Sequence, residues 1–180
     1  PTSQILNVRD KLFMIDCGEG AQLQFRKSHL KFSRLNHIFI SHLHGDHCFG
    51  LLGLISTLNL LGRTAELHIH SPKGLETLLT PMLDFFNRQM TYKVLFHEFD
   101  TKEPMLIYED RSLTVTTIPL RHRMPCCGFL FAEKRRPNHI IREMVDFYQV
   151  PVYELNRIKN GADYVTPEGK TVSNNLLTRP

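Results

Sequence analysis

The sequence predicts an α/β fold, a sheet with helices packed on its face, and two features carry that expectation. The first half repeats a strand, a turn and a helix in that order, and the middle breaks into short strands split by turn residues. LFMID (12–16) reads as a strand, CGEG as a glycine turn and AQLQFRKSHL (21–30) as a helix. HIFIS (37–41) is a second strand, followed by a histidine-rich loop and the apolar helix CFGLLGLISTLNLLG (48–62). ELHIHS (66–71) is a third strand, with Pro72 as helix starter before KGLETLLTPMLDFF. From Tyr92 the texture changes to YKVLFHEF, PMLIYE, SLTVTTIPL and CGFLFAE, short strands separated by turn signals such as Glu109-Asp110-Arg111. A polar, basic, helix-like segment at 138–149 and a hairpin in VTPEGKTV, turning at Pro-Glu-Gly, complete the chain.

Composition bounds the function classes. The 180 residues suffice for one domain, and 42% hydrophobic residues suit a globular protein with a real core. The apolar run at 48–62 holds Ser56, Thr57 and Asn59 and falls short of the ~18 residues a membrane span needs, so it reads as a buried or interface helix. Because it is apolar on more than one face, it is expected to bury one side on its own sheet and another on a second copy, a homodimer. The chain opens on no charged and then apolar export signal. Cys17, Cys48, Cys126 and Cys127 show neither CxxC spacing nor the density of a disulfide scaffold, which fits free thiols in a reducing cytoplasm. For Cys126 and Cys127, buried small side chains, a metal site and a strained disulfide all stay open. Net charge is +4, with a pI near 9.0, which permits a polyanionic partner without demanding one.

The chemistry concentrates in SHLHGDH (41–47), which places three histidines and an aspartate in seven positions directly after an apolar strand. Side chains two apart in an extended segment point the same way, so His42 and His44 can converge beyond the strand end. Asp46 and His47 reach a second point close by. Neutral imidazole and carboxylate are the zinc ligands used outside thiolate sites, and four of them invite a two-metal reading, since one catalytic zinc needs three and an open position. His122, after the strand SLTVTTIPL, also sits at a strand end, although a place in the basic patch RHR explains it equally well. His68 and His70 share a strand face, and with His29, His37, His97 and His139 they read as structural or solvated histidines.

HLHGDH is similar to the HxHxDH signature of the metallo-β-lactamase superfamily. LNHIFISHLHGDHCFGLLGL, LHIHSPKGLE, MIDCGEGAQLQ and IPLRHRMPCCGFLF resemble the ribonuclease Z family in particular, whose members trim transfer-RNA 3′ ends. The resemblance runs over nearly the whole chain. It implies a partial metallo-β-lactamase αββα sandwich with a protruding basic arm: an incomplete core over 1–132, a transfer-RNA-binding arm over 133–173 and a return to the core over 174–180. It implies that His42, His44 and His122 ligate one zinc ion and Asp46 and His47 a second, Asp46 also orienting the nucleophile. A bridging aspartate and further histidines of the family pattern are not among these residues. Asp16 matches an aspartate beside the metal loop and is expected to support the ligand histidines. A helix N-terminal cap before Gly18 is the other reading of it.

Between Arg121 and Arg142, six Lys and Arg face one acid, Glu133, a local charge of +5. This suits a phosphate backbone bound through counterion release, and equally a solvated basic face. With the resemblance, Lys134, Arg135, Arg136, Arg142, Arg157 and Lys159 become the expected RNA contacts and precursor transfer RNA the expected partner. Val150 stands before Pro151 where the family has glycine. GEGAQ (18–22) offers backbone N–H groups at a helix start, a weak phosphate signal. The expected activity is zinc-dependent endoribonuclease cleavage of the 3′ trailer. The alternatives are another hydrolase of the superfamily, or a non-catalytic RNA-binding fragment.

Overall fold

The structure is a computed structural model and describes residues 1–86 and 89–180. The chain forms two compact units, Pro1–Ala132 and Glu133–Pro180.

The first unit contains β1 (Gln4–Val8), β2 (Lys11–Ile15), α1 (Ala21–Lys27), β3 (Leu35–Phe39), α2 (Gly45–Cys48), α3 (Gly50–Leu60), β4 (Leu67–Pro72), α4 (Leu75–Phe86), β5 (Val94–Phe99), β6 (Leu106–Glu109), β7 (Leu113–Leu120) and β8, which starts at Cys126 and ends at Glu133. β1 to β5 form one sheet in sequence order and β6 to β8 another. β1 and β2 are antiparallel, and β2 to β5 run parallel. A parallel strand must be covered on both faces, and period-two alternation supplies the cover. Leu12, Met14, Ile38, Ile40, Leu67 and Ile69 face the helices and pack with Leu51, Leu54, Ile55 and Leu58 of α3. Phe13 and Phe39, the alternate residues, face the other way and meet Leu113 and Val115 of the second sheet. Helices, sheet and sheet therefore stack as three layers. The outer side of the second sheet is apolar yet exposed at Ile118, Leu120 and Leu130.

Three boundaries differ from the sequence reading. Pro72 closes β4, where its register partner is Phe99, and the following helix begins at Leu75. The α1 helix stops at Lys27, because His29 adopts a left-handed φ of 56°. The apolar helix at 48–62 divides into α2 and α3. Its outer face is half-buried rather than a broad free surface, since Leu52 packs against the core and Ser56 and Thr57 bond back to the carbonyls of Leu52 and Gly53. Exposed apolar side chains stand at the two ends of that run, at Phe49, Leu60 and Leu61, and on α4, at Leu78, Met82, Phe85 and Phe86.

The second unit contains β9 (His139–Ile140), α5 (Arg142–Phe147), α6 (Leu155–Lys159), β10 (Tyr164–Val165), β11 (Thr171–Val172), α7 (Asn174–Leu177) and β12 (Thr178–Arg179). Val145, Val150, Ile158, Tyr164, Val172 and Leu177 form its own core. The hairpin in VTPEGKTV is present as β10 and β11, with Gly169 at φ 81° in the turn. The helix expected over 138–149 is reduced to α5, because His139 and Ile140 pair with β12. That pairing also holds 178–179 inside this unit. Asn174 adds its side-chain NH2 to the Ile158 and Ala162 carbonyls at 2.7 and 2.8 Å. Residues 174–180 thus pack within the second unit. Val150 sits buried before Pro151, and Gln149 adopts a left-handed φ of 50°.

Candidate metal centre

The histidine loop follows β3 and is held from below by two backbone hydrogen bonds to Cys17. The backbone N–H of Cys17 donates to the His47 carbonyl at 2.7 Å, and that of Gly50 donates to the Cys17 carbonyl at 2.8 Å. These contacts require CGEG to lie backbone against backbone on the loop. A Cβ on Gly18 would collide with the Asp46 carbonyl, and one on Gly50 with the Gly18 carbonyl. Gly18 of the turn therefore serves packing, while Gly20, in open space at φ 76°, serves the left-handed backbone. The phosphate signal assigned to them weakens, since the Gly18 N–H already donates to Thr2 O and that of Ala21 to Gly18 O.

On this base the structure brings together His42, His44 and His122, whose ligand nitrogens all lie within 4.8 Å of one another. His42 Nε2 and His44 Nδ1 are 3.0 Å apart, and His122 Nε2 lies 3.3 Å from His44 Nδ1. His122 arrives from the β7–β8 loop of the second sheet, so the cluster joins the two sheets at one end. Three imidazole nitrogens at this spacing are a donor set that fits one cation. Burial, then the neighbouring His47 and His44, push the His42 imidazole below its ordinary pKa, which keeps it neutral and able to ligate. His47 adjoins the cluster, its ring centroid 4.0 Å from that of His42, and its Nε2 lies 3.5 Å from Asp46 Oδ2. Among the described residues, Asp46 and His47 form a pair beside the triad and not part of that three-nitrogen group.

Asp16 lies beneath the histidines in a left-handed conformation, φ 58°, which Asp tolerates better than most residues. Its Oδ1 accepts the Ser41 backbone N–H at 2.8 Å. Its Oδ2 accepts the Ser41 hydroxyl at 3.0 Å and lies 2.7 Å from His47 Nδ1. The reading as a helix cap does not fit, because α1 starts at Ala21 with Gly20 as its N-cap. Ser41 is the residue that sequence reasoning passed over. Its hydroxyl also lies 3.0 Å from His42 Nδ1 and 3.3 Å from His47 Nδ1, so it ties Asp16 to both imidazoles. The only signal was its place at the head of SHLHGDH.

The expected RNA contacts lie in the second unit, and the metal triad lies wholly in the first. Arg135, Arg136 and Lys159 are exposed, and Lys134 is half-buried. Arg142 and Arg157 pair locally with Asp146 at 3.1 Å and Glu154 at 3.0 Å. No described helix is long and apolar enough to cross a membrane. All four cysteines are buried free thiols, without the disulfide left open for Cys126 and Cys127.

Two facing sheets with helices outside and a histidine cluster at the strand ends define the metallo-β-lactamase class of fold. Comparison with known proteins bears this out. The chain belongs to the family described as Anti-Pycsar protein Apyc1, whose model matches residues 1–135. Curated relatives carry the name ribonuclease Z, as the sequence motifs suggested. That of Bacteroides fragilis is 80% identical over 179 residues, 99% of this chain and 59% of the relative. That of Bacteroides thetaiotaomicron is 78% identical, with 57% of the relative covered. The chain thus spans under three-fifths of the length of these relatives. The crystal structure of the short form of human tRNase Z superposes with a TM-score of 0.68 at 31% identity, over 75% of this chain and 59% of that one. The metallo-β-lactamase fold protein YhfI of Bacillus subtilis shares the fold alone, with a TM-score of 0.52 at 15% identity over 82% of this chain and 58% of that one.

Proposed function

We propose that this chain is part of a cytoplasmic, homodimeric, zinc-dependent endoribonuclease that removes the 3′ trailer from precursor transfer RNA by two-metal phosphodiester hydrolysis. One observation carries the reading: the His42, His44 and His122 cluster occurs in a chain 80% identical to a protein named ribonuclease Z. His42, His44 and His122 would hold the first zinc ion, and Asp46 with His47 would contribute to holding the second. When bound, the pair supplies Lewis-acid activation of water and neutralisation of charge on the phosphoryl oxygens.

The chain's own residues do the rest. Asp16 accepts at His47 Nδ1 and so leaves Nε2 as the free ligand nitrogen facing Asp46. Ser41 braces His42 at its Nδ1 in the same way, leaving Nε2 toward His44. The Asp46 carboxylate, its side chain 59% exposed, can orient the attacking water and accept its proton at Oδ2. In-line displacement at phosphorus then leaves a 3′-hydroxyl on the transfer RNA and a 5′-phosphate on the trailer. The exposed apolar side chains Leu78, Met82, Phe85 and Phe86 support the homodimer.

The test uses the full-length protein. Atomic absorption should find two zinc ions per chain, precursor transfer RNA should be cut to products with the ends just named, and sedimentation at micromolar concentration should give a dimer. A zinc-loaded protein that hydrolyses small esters or lactams and spares precursor transfer RNA would place it elsewhere in the superfamily.

A further inference from the structure

A second concave feature opens on the same rim as the histidine cluster. A cleft of about 520 Å³ runs from His122 between the β7–β8 loop and the ends of β4 and β5. Parallel pairing of Pro72 with Phe99 brings the residues that follow both strands to one sheet end, so Lys73 and Lys102 line one side. Arg121 and Arg123, on either side of His122, line the other.

The charge balance of this cleft is one-sided. Four cations line it against one carboxylate, Asp100, which accepts the backbone N–H of Lys102 at 3.0 Å. All four basic side chains are exposed, and among the described residues none of them makes an ion pair. Four like charges gathered against a single carboxylate repel one another, and a bound polyanion relieves that repulsion. The only phenyl ring in the lining, Phe99, is 4% exposed and offers no platform for a base. Recognition here is therefore of phosphates and not of bases. The cleft lies within the range of small-ligand sites, so one strand fits and a duplex does not.

We propose that this cleft seats the phosphodiester backbone of the single-stranded 3′ trailer as it leaves the histidine cluster, with Lys73 and Lys102 contacting successive phosphates. The inference rests on the function proposed above and adds to it the path of the substrate. Lys73 and Lys102 are the residues to test, since neither adjoins a metal-ligand candidate in sequence and neither is buried.

In the full-length protein, Lys73→Ala with Lys102→Ala should weaken binding of a hydrolysis-resistant phosphorothioate oligoribonucleotide by about tenfold. The slope of log affinity against log salt should flatten by up to ~1.4, about 0.7 for each phosphate that is no longer neutralised. The Arg counterparts, Lys73→Arg with Lys102→Arg, should restore both. In cleavage assays the KM of a long-trailer precursor should rise, and that of a single-nucleotide-trailer precursor should rise much less. Unchanged oligonucleotide binding overturns the proposal, as does an equal KM rise for both trailer lengths. A mononucleotide that competes as tightly as the oligonucleotide also overturns it, assigning the cleft to a small anion. A wild-type protein that cuts no precursor transfer RNA sinks the proposed function instead, and the cleft is then decided by the binding measurement alone.

Discussion

At the scale of single residues, Asp46 and Asp16 are both carboxylates near one histidine pair, yet their surroundings set them to different tasks. Asp46 is largely exposed and touches little besides His47, so Asp46→Ala should leave the stability within about 0.5 kcal/mol of wild type in thermal unfolding. Hydrolysis of precursor transfer RNA should fall by roughly two orders of magnitude or more. Full activity of the purified variant at saturating zinc would remove Asp46 from the reaction. Asp16 is 4% exposed and accepts from Ser41 and His47 in a left-handed turn. Asp16→Ala strands the Ser41 N–H and places alanine at positive φ, at a cost of about 1–3 kcal/mol. Asp16→Asn keeps an acceptor for that N–H and tolerates the turn, but removes the charge facing His47 Nδ1. Its thermal stability should stay nearer wild type than that of the alanine variant, while zinc affinity falls about 10–100-fold in a chelator competition. Equal zinc affinity for Asn and Asp would mean that the carboxylate serves the fold alone.

At the scale of elements, spacing made the histidine loop legible, because three of its candidate ligands lie within three positions of His44 and follow a strand end. What spacing could not reveal was a second histidine group, which exists only through the parallel register of β3, β4 and β5. His37 pairs with His68, Phe39 with His70, and His70 with His97 across the strands. The rings stack at 4.8 Å for His37 with His68 and 4.7 Å for His70 with His97, and Tyr108 of the second sheet closes over His37 at 4.4 Å. The reading of these histidines as structural or solvated covers them singly and misses the stack. Burial first, and then the neighbouring imidazoles, push His37 down to about 4 and His70 to about 3. The buried Nδ1 of His70 has no hydrogen-bond partner, so its cationic form is poorly accommodated. Asp110, which accepts the Tyr108 hydroxyl, and Lys11 act on His37 in opposite directions, while Glu66 and Arg63 do so on His68. Because the folded pKa values lie below the unfolded value of 6.5, the unfolded chain binds more protons between about pH 4 and 6.5. Stability is full above pH 6.5 and declines as pH falls through that window, by up to about 1.4 kcal/mol per pH unit for each group. His70→Phe should therefore flatten the fall in melting temperature between pH 7 and pH 5. The metal-site histidines are the same in both proteins, so the difference isolates the stack, and parallel curves would show that His70 carries none of the acid sensitivity.

At the scale of the whole molecule, each unit has its own hydrophobic core, and the basic run that begins the second unit is built from residues that do not hold that core. The six cations named from the sequence are not equivalent once folded. Arg142 and Arg157 spend part of their charge on Asp146 and Glu154, whereas Arg135, Arg136 and Lys159 stand exposed. Sequence counting could not see this, because i,i+3 and i,i+4 pairing depends on where α5 and α6 begin, and the long helix expected over 138–149 has only six residues. If the run binds RNA, Lys134→Ala with Arg135→Ala and Arg136→Ala removes up to three phosphate contacts. Affinity for precursor transfer RNA should then drop, and its salt slope should flatten by up to ~3. Arg142→Ala with Arg157→Ala should have a smaller effect, since each arginine must first leave an acid partner to meet a phosphate. The comparison that decides is the triple variant on precursor transfer RNA against a small phosphodiester. A loss much greater on transfer RNA fits an affinity role, equal losses would mean that these side chains support the fold or the metal site, and no loss on transfer RNA would leave the basic run as a solvated surface.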